Sequence, residues 1–185
     1  MNLPRRIFGL MGPAVALAAA AVAGTGAVAQ ASSSPAVHLK PLAGVFNPIK
    51  NVGNGMCLQP VTPVANTAVV QEPCDGSSMQ GWQQVQVSGT TYGFLNQASG
   101  DCLFAFTGAQ NGAPMGLNSC RTVSNEQFDA HATLPNVTEL ESRIGFSDTG
   151  FCVDVPGAST TAGLQLQLFS CNGTLAQRWV IGFAS

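Results

Sequence analysis

The sequence predicts an all-β domain made of three pseudo-threefold repeats, each pinned by one internal disulfide. Three observations carry this. A frame of Gly, one variable residue, Cys and then Leu or Val recurs as "GMCLQP" from Gly55, "GDCLFA" from Gly100 and "GFCVDV" from Gly150. A second Cys follows after 17, 18 and 19 residues, at Cys74, Cys120 and Cys171. Eight residues beyond each second Cys stands an aromatic, Trp82, Phe128 or Trp179, and two residues before it stands Gln80, Glu126 or Gln177. Eight residues before each first Cys is an apolar residue, Ile49, Phe94 or Ile144. Self-similarity at a period of this size marks a repeat architecture.

The elements follow in chain order. Arg5 and Arg6 form a positive head, an Ala-, Val- and Gly-rich run follows from Ile7 to Val28, and small residues offer cleavage after Ala29 or Ala31. That layout predicts a secretory signal peptide over residues 1–29 and a secreted, extracellular product. The run approaches the length that spans a bilayer, but its many small residues and A-x-A ending favour removal, so no membrane association is expected after cleavage. "RRIFGL" loosely resembles a twin-arginine signal, which leaves the export route open. Residues 30–43 are rich in Ser, Ala and Pro and read as a flexible lead-in. The domain itself is expected over 44–185, with repeats of about 46–90, 91–140 and 141–185.

Composition narrows the function. The chain has seven Lys+Arg and nine Asp+Glu, and the leader holds two of the basic residues, so the mature chain is near −4. Nothing here supports binding to nucleic acid, which needs clustered Lys and Arg. All six Cys lie after the leader, and an even count in an exported chain favours bridges over metal ligands. Of the fifteen pairings that six Cys permit, near-equal spacing selects Cys57–Cys74, Cys102–Cys120 and Cys152–Cys171. Each closes a loop of about 20 residues, worth roughly 3 kcal/mol by loop entropy.

Within a repeat the local pattern is β. "QGWQQVQVSGTTYGFL" alternates polar and apolar and turns at Ser88-Gly89. "GLQLQLFSC" places Leu164, Leu166 and Leu168 on one face and Gln165, Gln167 and Phe169 on the other. Asn51 to Gly55, Ser99-Gly100, Asn111-Gly112 and Asn172-Gly173 supply turns. The recurrence of Trp82, Phe128 and Trp179 predicts core packing around a common centre.

Gln80-Gly81-Trp82 and Gln177-Arg178-Trp179, with Glu126-Gln127-Phe128 as a softened copy, match the Q-x-W signature of the ricin-B-type lectins. The chain resembles that family over about residues 46–185. The resemblance implies a β-trefoil fold and a non-catalytic carbohydrate-binding function, with a glycan or polysaccharide as partner and no cofactor or metal. It also implies a sugar site in one repeat. An Asp shortly after the first Cys accepts bonds from sugar hydroxyls, an aromatic two residues before the second Cys stacks on a sugar face, and the Q-x-W Gln helps to hold the Asp. The third repeat matches at Asp154, at Phe169 with Gln167 beside it, and at Gln177. It departs at Ala176, where the family commonly has Asn. The first repeat has Gln59, Val70, Glu72 and Met79 at these positions, and the second has Phe104, Gly116, Asn118 and Asn125. Neither has the Asp or the aromatic platform.

Catalytic readings have less to stand on. His131 near Asp129 in "FDAHAT" reads as a surface residue, and Asp148 with Asp154 is a candidate carboxylate pair close in sequence. No Ser-His-Asp order, HExxH or phosphate loop is present. Asn136-Val137-Thr138 and Asn172-Gly173-Thr174 are glycosylation sequons. The alternative function is a degenerate trefoil acting as a protein-interaction module or inhibitor of an extracellular hydrolase, with contacts on loops such as Asn111 to Met115 or Leu134 to Ser142.

Overall fold

Period-two alternation, interrupted every few residues by Gly and Asn, folds each repeat into four short strands. The computed structural model describes residues 44–134 and 136–182, so the predicted leader and lead-in lie outside the described residues. Repeat one supplies β1 (Ile49–Asn51), β2 (Cys57–Pro60), β3 (Val69–Glu72) and β4 (Trp82–Ser88). Repeat two supplies β5 (Thr91–Asn96), β6 (Cys102–Ala105), β7 (Ala113–Asn118) and β8 (Phe128–Leu134). Repeat three supplies β9 (Val137–Ser142), β10 (Phe151–Asp154), β11 (Gln167–Ser170) and β12 (Arg178–Ile181).

The outer strands of the repeats pair antiparallel in the order β1, β12, β9, β8, β5, β4, and a bridge from Asn47 to Trp82 closes the ring. Closure removes the exposed strand edges that would template aggregation. The inner strands form three hairpins, β2–β3, β6–β7 and β10–β11. These are joined by β7–β11 pairing and by bridges Ala68–Gly116 and Val70–Gln165. This is the threefold β-trefoil arrangement, with the three disulfides paired within repeats as the spacing requires. Gly55, Gly100 and Gly150 all take the left-handed conformation at φ near 75°. The turn before each first Cys therefore needs Gly, which explains why the frame keeps it.

Trp82, Phe128 and Trp179 are fully buried beside Ile49, Phe94, Leu58, Leu103 and Val153. The indole N–H groups of Trp82 and Trp179 donate to the carbonyls of Leu58 and Val153, both at 3.0 Å, and so tie the barrel to its hairpins. Phe128 fills the same place without a donor.

Two expectations are corrected. Ile144 is not the counterpart of Ile49 and Phe94. Asn51 faces Trp179, Asn96 faces Trp82 and Ser142 faces Phe128, so the counterpart two residues earlier is Leu140, fully buried. The link from Ser142 to Cys152 is four residues longer than that from Asn51 to Cys57, and the extra chain displaces the count from the Cys. Ile144 lies in that link, partly buried against the core. The second correction concerns the stretches read as contact loops. Residues 113–118 and 137–142 are strands. Met115 donates its N–H to Leu166 and is fully buried, so only the short turns at Asn111-Gly112 and Asn136 remain open.

The Gln of each Q-x-W closes the loop after the second Cys. Gln80 donates to the Pro73 carbonyl at 2.9 Å and accepts from the Asp75 N–H at 2.8 Å. Gln177 does the same with Ser170 at 3.1 Å and Asn172 at 2.8 Å. Glu126 accepts from Arg121 and Thr122 through one oxygen, but its other oxygen is buried without a partner. At that point the Gln residues place a donor, and a carboxylate has none to give. Burial pushes the Glu126 carboxyl above its ordinary value of 4.5, against the opposing pull of the Arg121 and Thr122 N–H groups. A raised folded pKa means that the group stabilises the fold most below 4.5 and that this contribution is lost as pH rises through the folded value. Glu126→Gln is therefore expected to stabilise the domain at pH 7 by about 1–3 kcal/mol, with the gain shrinking toward pH 4. Thermal melts across that range measure it, and a gain that does not depend on pH contradicts the account. Trp82→Phe, which strands the Leu58 carbonyl, is expected to cost roughly 1–3 kcal/mol in urea unfolding without changing the fold.

Candidate functional site

The three hairpins share one register. Gln59 faces Val70, Phe104 faces Gly116 and Asp154 faces Gln167. In repeat three, Val153 and Leu168 turn inward to the core, which sends Asp154, Gln167 and Phe169 to the opposite face. These three line an open cleft of about 240 Å³, and Asn172, Thr174 and Ala176 complete its rim. Gly157 and Ala158 form its far wall.

Asp154 lies at the cleft floor and is only 5% exposed, and its Oδ2 accepts a 2.8 Å hydrogen bond from Gln167 Nε2. Burial raises its pKa above the ordinary 3.8, while the Gln167 and Gln177 amides pull it back. Gln177 is fully buried behind the cleft, and its firm contacts are to Ser170 and Asn172. It holds the loop that carries Asn172 and does not line the cleft. Phe169 presents a ring that is 37% exposed at the edge. Ala176, at the family's Asn position, is buried and small, which leaves the floor open.

The same place is filled in the other repeats. In repeat two the rings of Phe104 and Phe106 lie 5.5 Å apart. Phe106 occupies the space that any side chain at Gly116 would need, and Thr67 O closes it from the other side. Asn125, the Asn that repeat three lacks, donates to Ala105 O at 2.9 Å. In repeat one, Gln59 Oε1 accepts from Gln80 at 3.0 Å and Val70 is buried opposite it. Only repeat three, among the described residues, sets a carboxylate, an amide and an exposed ring side by side at these positions.

One contributor has no motif. Gln71 of repeat one is fully buried at a position where repeats two and three have Leu117 and Leu168. Its Nε2 donates to the carbonyls of Ser159 at 3.0 Å and Thr161 at 2.7 Å, and its Oε1 accepts from Asn54 at 2.7 Å. Asn54 also donates to Ser159 O at 2.9 Å. Together they fix the segment after Asp154, including Ala158, which holds a left-handed φ of 51°. That conformation costs a non-glycine residue roughly 1 kcal/mol, and the fully bonded amide network offsets it. The sequence signal for Gln71 is a polar residue at a core position of the hairpin repeat.

The catalytic candidates are dispersed. His131 Nε2 pairs with Glu141 at 3.0 Å on an exposed strand face. Asp129 is bound by Thr91 at 2.6 Å and by Arg143 at 2.7 Å. Arg143 also binds Asp148 at 2.9 Å, so Asp148 belongs to this cluster and not to the Asp154 cleft.

The ricin-type beta-trefoil lectin domain matches residues 45–179. The chain belongs to that family. No curated protein matches the chain. Among solved structures, a designed threefold-symmetric protein, ThreeFoil, aligns with a TM-score of 0.69 at 22% identity, covering 74% of this chain and 96% of that one. A ricin B-like lectin from Macrolepiota procera in complex with lactose aligns at 0.62 and 20% identity, covering 77% and 97%. An exo-beta-1,3-galactanase from Clostridium thermocellum aligns at 0.67 and 21%, but this chain covers only 30% of that one. At these identities the likeness establishes the trefoil alone. In the third-repeat cleft of this ricin-type domain, Gln167 Nε2 donates to the Asp154 carboxylate at 2.8 Å, and the Gln177 amide also stabilises it. Gln167→Leu is expected to raise the Asp154 pKa further, because burial remains while a stabilising donor is lost; carboxyl NMR titration reads this, and an unchanged value contradicts it.

Proposed function

We propose that this domain is a secreted, non-catalytic lectin that binds carbohydrate through the third-repeat cleft. One observation carries the reading: Asp154, Gln167 and Phe169 share an open face in repeat three, while the equivalent places in repeats one and two are filled. A saccharide presents vicinal hydroxyls on one side and C–H groups on another. The carboxylate accepts the hydroxyls, Gln167 holds the carboxylate in position with one amide hydrogen and keeps the other, and Phe169 covers the C–H patch. Phe lacks the polar handle of Trp or Tyr, and Ala176 supplies no hydrogen bond, so affinity at one site is weak. Avidity then comes from repeating polysaccharide or from oligomers. The lactose complex of the Macrolepiota procera lectin makes galactosides a first class to test. The leader is removed after Ala29 or Ala31 on export, which N-terminal sequencing of the exported protein checks.

Ala176 and the two filled repeats favour a second reading, a protein-interaction module or inhibitor of an extracellular hydrolase, which inhibition assays alongside a silent glycan array would support. On the first reading, Asp154→Ala is expected to reduce glycan binding about ten- to a hundredfold with unchanged melting, since charged hydrogen bonds contribute about 1.5–3 kcal/mol each. Because the Asp154 pKa is raised above 3.8, binding is expected to fall on acidification before an ordinary exposed carboxylate would protonate. Array binding that survives Asp154→Ala unchanged overturns the assignment.

A further inference from the structure

We infer that the third-repeat cleft continues across the boundary into repeat one, where a second cleft receives the next ring of the same saccharide. This rests on the proposed lectin reading and extends it to the ligand class: a chain of at least two sugars and not a lone monosaccharide. The second cleft, about 200 Å³, is lined by Asn51, Gly53, Asn54 and Leu175. It shares Ala158, Thr174 and Ala176 with the Asp154 cleft. Each cleft alone falls below the roughly 300–1,000 Å³ of ordinary small-molecule pockets, and the two together fall within that range.

The second cleft offers a sugar ring an aliphatic surface with a few polar groups beside it. Leu175 is 51% exposed and gives an aliphatic surface at one side. The exposed Thr174 lines both clefts. Asn54 stands at the other side. Its amide nitrogen is committed to Gln71 and Ser159, and its oxygen accepts from the Met56 N–H at 2.9 Å, which leaves that oxygen one lone pair. The wall common to both clefts is fixed from beneath. Asn51 donates to the carbonyls of Leu175 and Ala176 at 3.2 and 3.1 Å, and Gln71 grips the segment after Ala158. Repeat one thus contributes no primary sugar site of its own. It supplies the buried amides and the outer surface that extend the site of repeat three. A pre-set wall lowers the ordering cost of holding a second ring.

The test compares short and long ligands on wild type and on Leu175→Ala, an exposed position outside the Asp154 cleft. The probes are galactose against lactose, xylose against xylotriose, and glucose against cellotriose, with affinities from NMR titration and calorimetry. For the pair that binds, the longer ligand is expected to bind about tenfold more tightly than the monosaccharide and to shift the Gly53 amide and Asn54 side-chain signals. The monosaccharide is expected to shift only signals around Asp154 and Phe169. Leu175→Ala is expected to reduce the length advantage to about two- or threefold while leaving monosaccharide affinity unchanged. Equal affinities for short and long ligands, or shifts confined to the Asp154 cleft, overturn the extension and leave the lectin reading in place. If no saccharide shifts either cleft, the lectin reading fails and the extension fails with it.

Discussion

Everything in this domain depends on how its three hairpins divide their residues between two faces. Residues alternate across a strand, so burying Leu58, Leu103 and Val153 at the common axis obliges their neighbours Gln59, Phe104 and Asp154 to face away. The inward positions answer to packing and are apolar in each copy except at Gln71. The outward positions have no part in closing the core, so they are free to differ. One became a carboxylate in a cleft, one an aromatic plug, and one an amide held by Gln80.

The threefold frame is strong because independent constraints meet at the same places. The disulfide fixes the two ends of each hairpin loop, the Q-x-W Gln bonds the chain just beyond the second Cys, and the aromatic that follows anchors the barrel. Repeat two weakens two of these at once, with Glu126 for Gln and Phe128 for Trp. It retains its geometry because its neighbours supply the closure, as expected where repeats stabilise one another. The cost is local: one buried oxygen without a donor and one hairpin without an indole bond.

The asymmetry that gives repeat three its cleft is supported by repeat one. Gln71 stands where the other repeats have a core leucine and makes two hydrogen bonds to repeat three and one to Asn54 of its own repeat. A buried amide is tolerable only when its groups are paired, and here all of its partners belong to the segment beneath the cleft or to Asn54. The insertion between Ser142 and Cys152 is handled differently, by a half-buried Arg143 shared between Asp129 and Asp148. Burial acts to raise the Asp129 carboxyl, but bonds from Thr91 and Arg143, with the arginine charge, outweigh it and hold it below its ordinary value. That cluster shapes a loop and leaves the cleft alone.

The sequence by itself determined the repeat, the Cys pairing, the strand alternation and the identity of Asp154, Gln167 and Phe169 as the unusual outward set. The first three are matters of spacing or of period two, which survive as counts along a chain, and the set of Asp154, Gln167 and Phe169 is what the resemblance to the ricin-B-type lectins implies. Tertiary structure decided the rest. That Leu140 and not Ile144 belongs to the core depends on register across the β8–β9 pair, which an insertion hides from any count made from the Cys. That Thr67 helps Phe106 close repeat two and that Gln71 of repeat one holds the wall of repeat three both depend on contacts between segments distant in sequence. Linear order records which side of a strand a residue takes, but not which other strand will be waiting there.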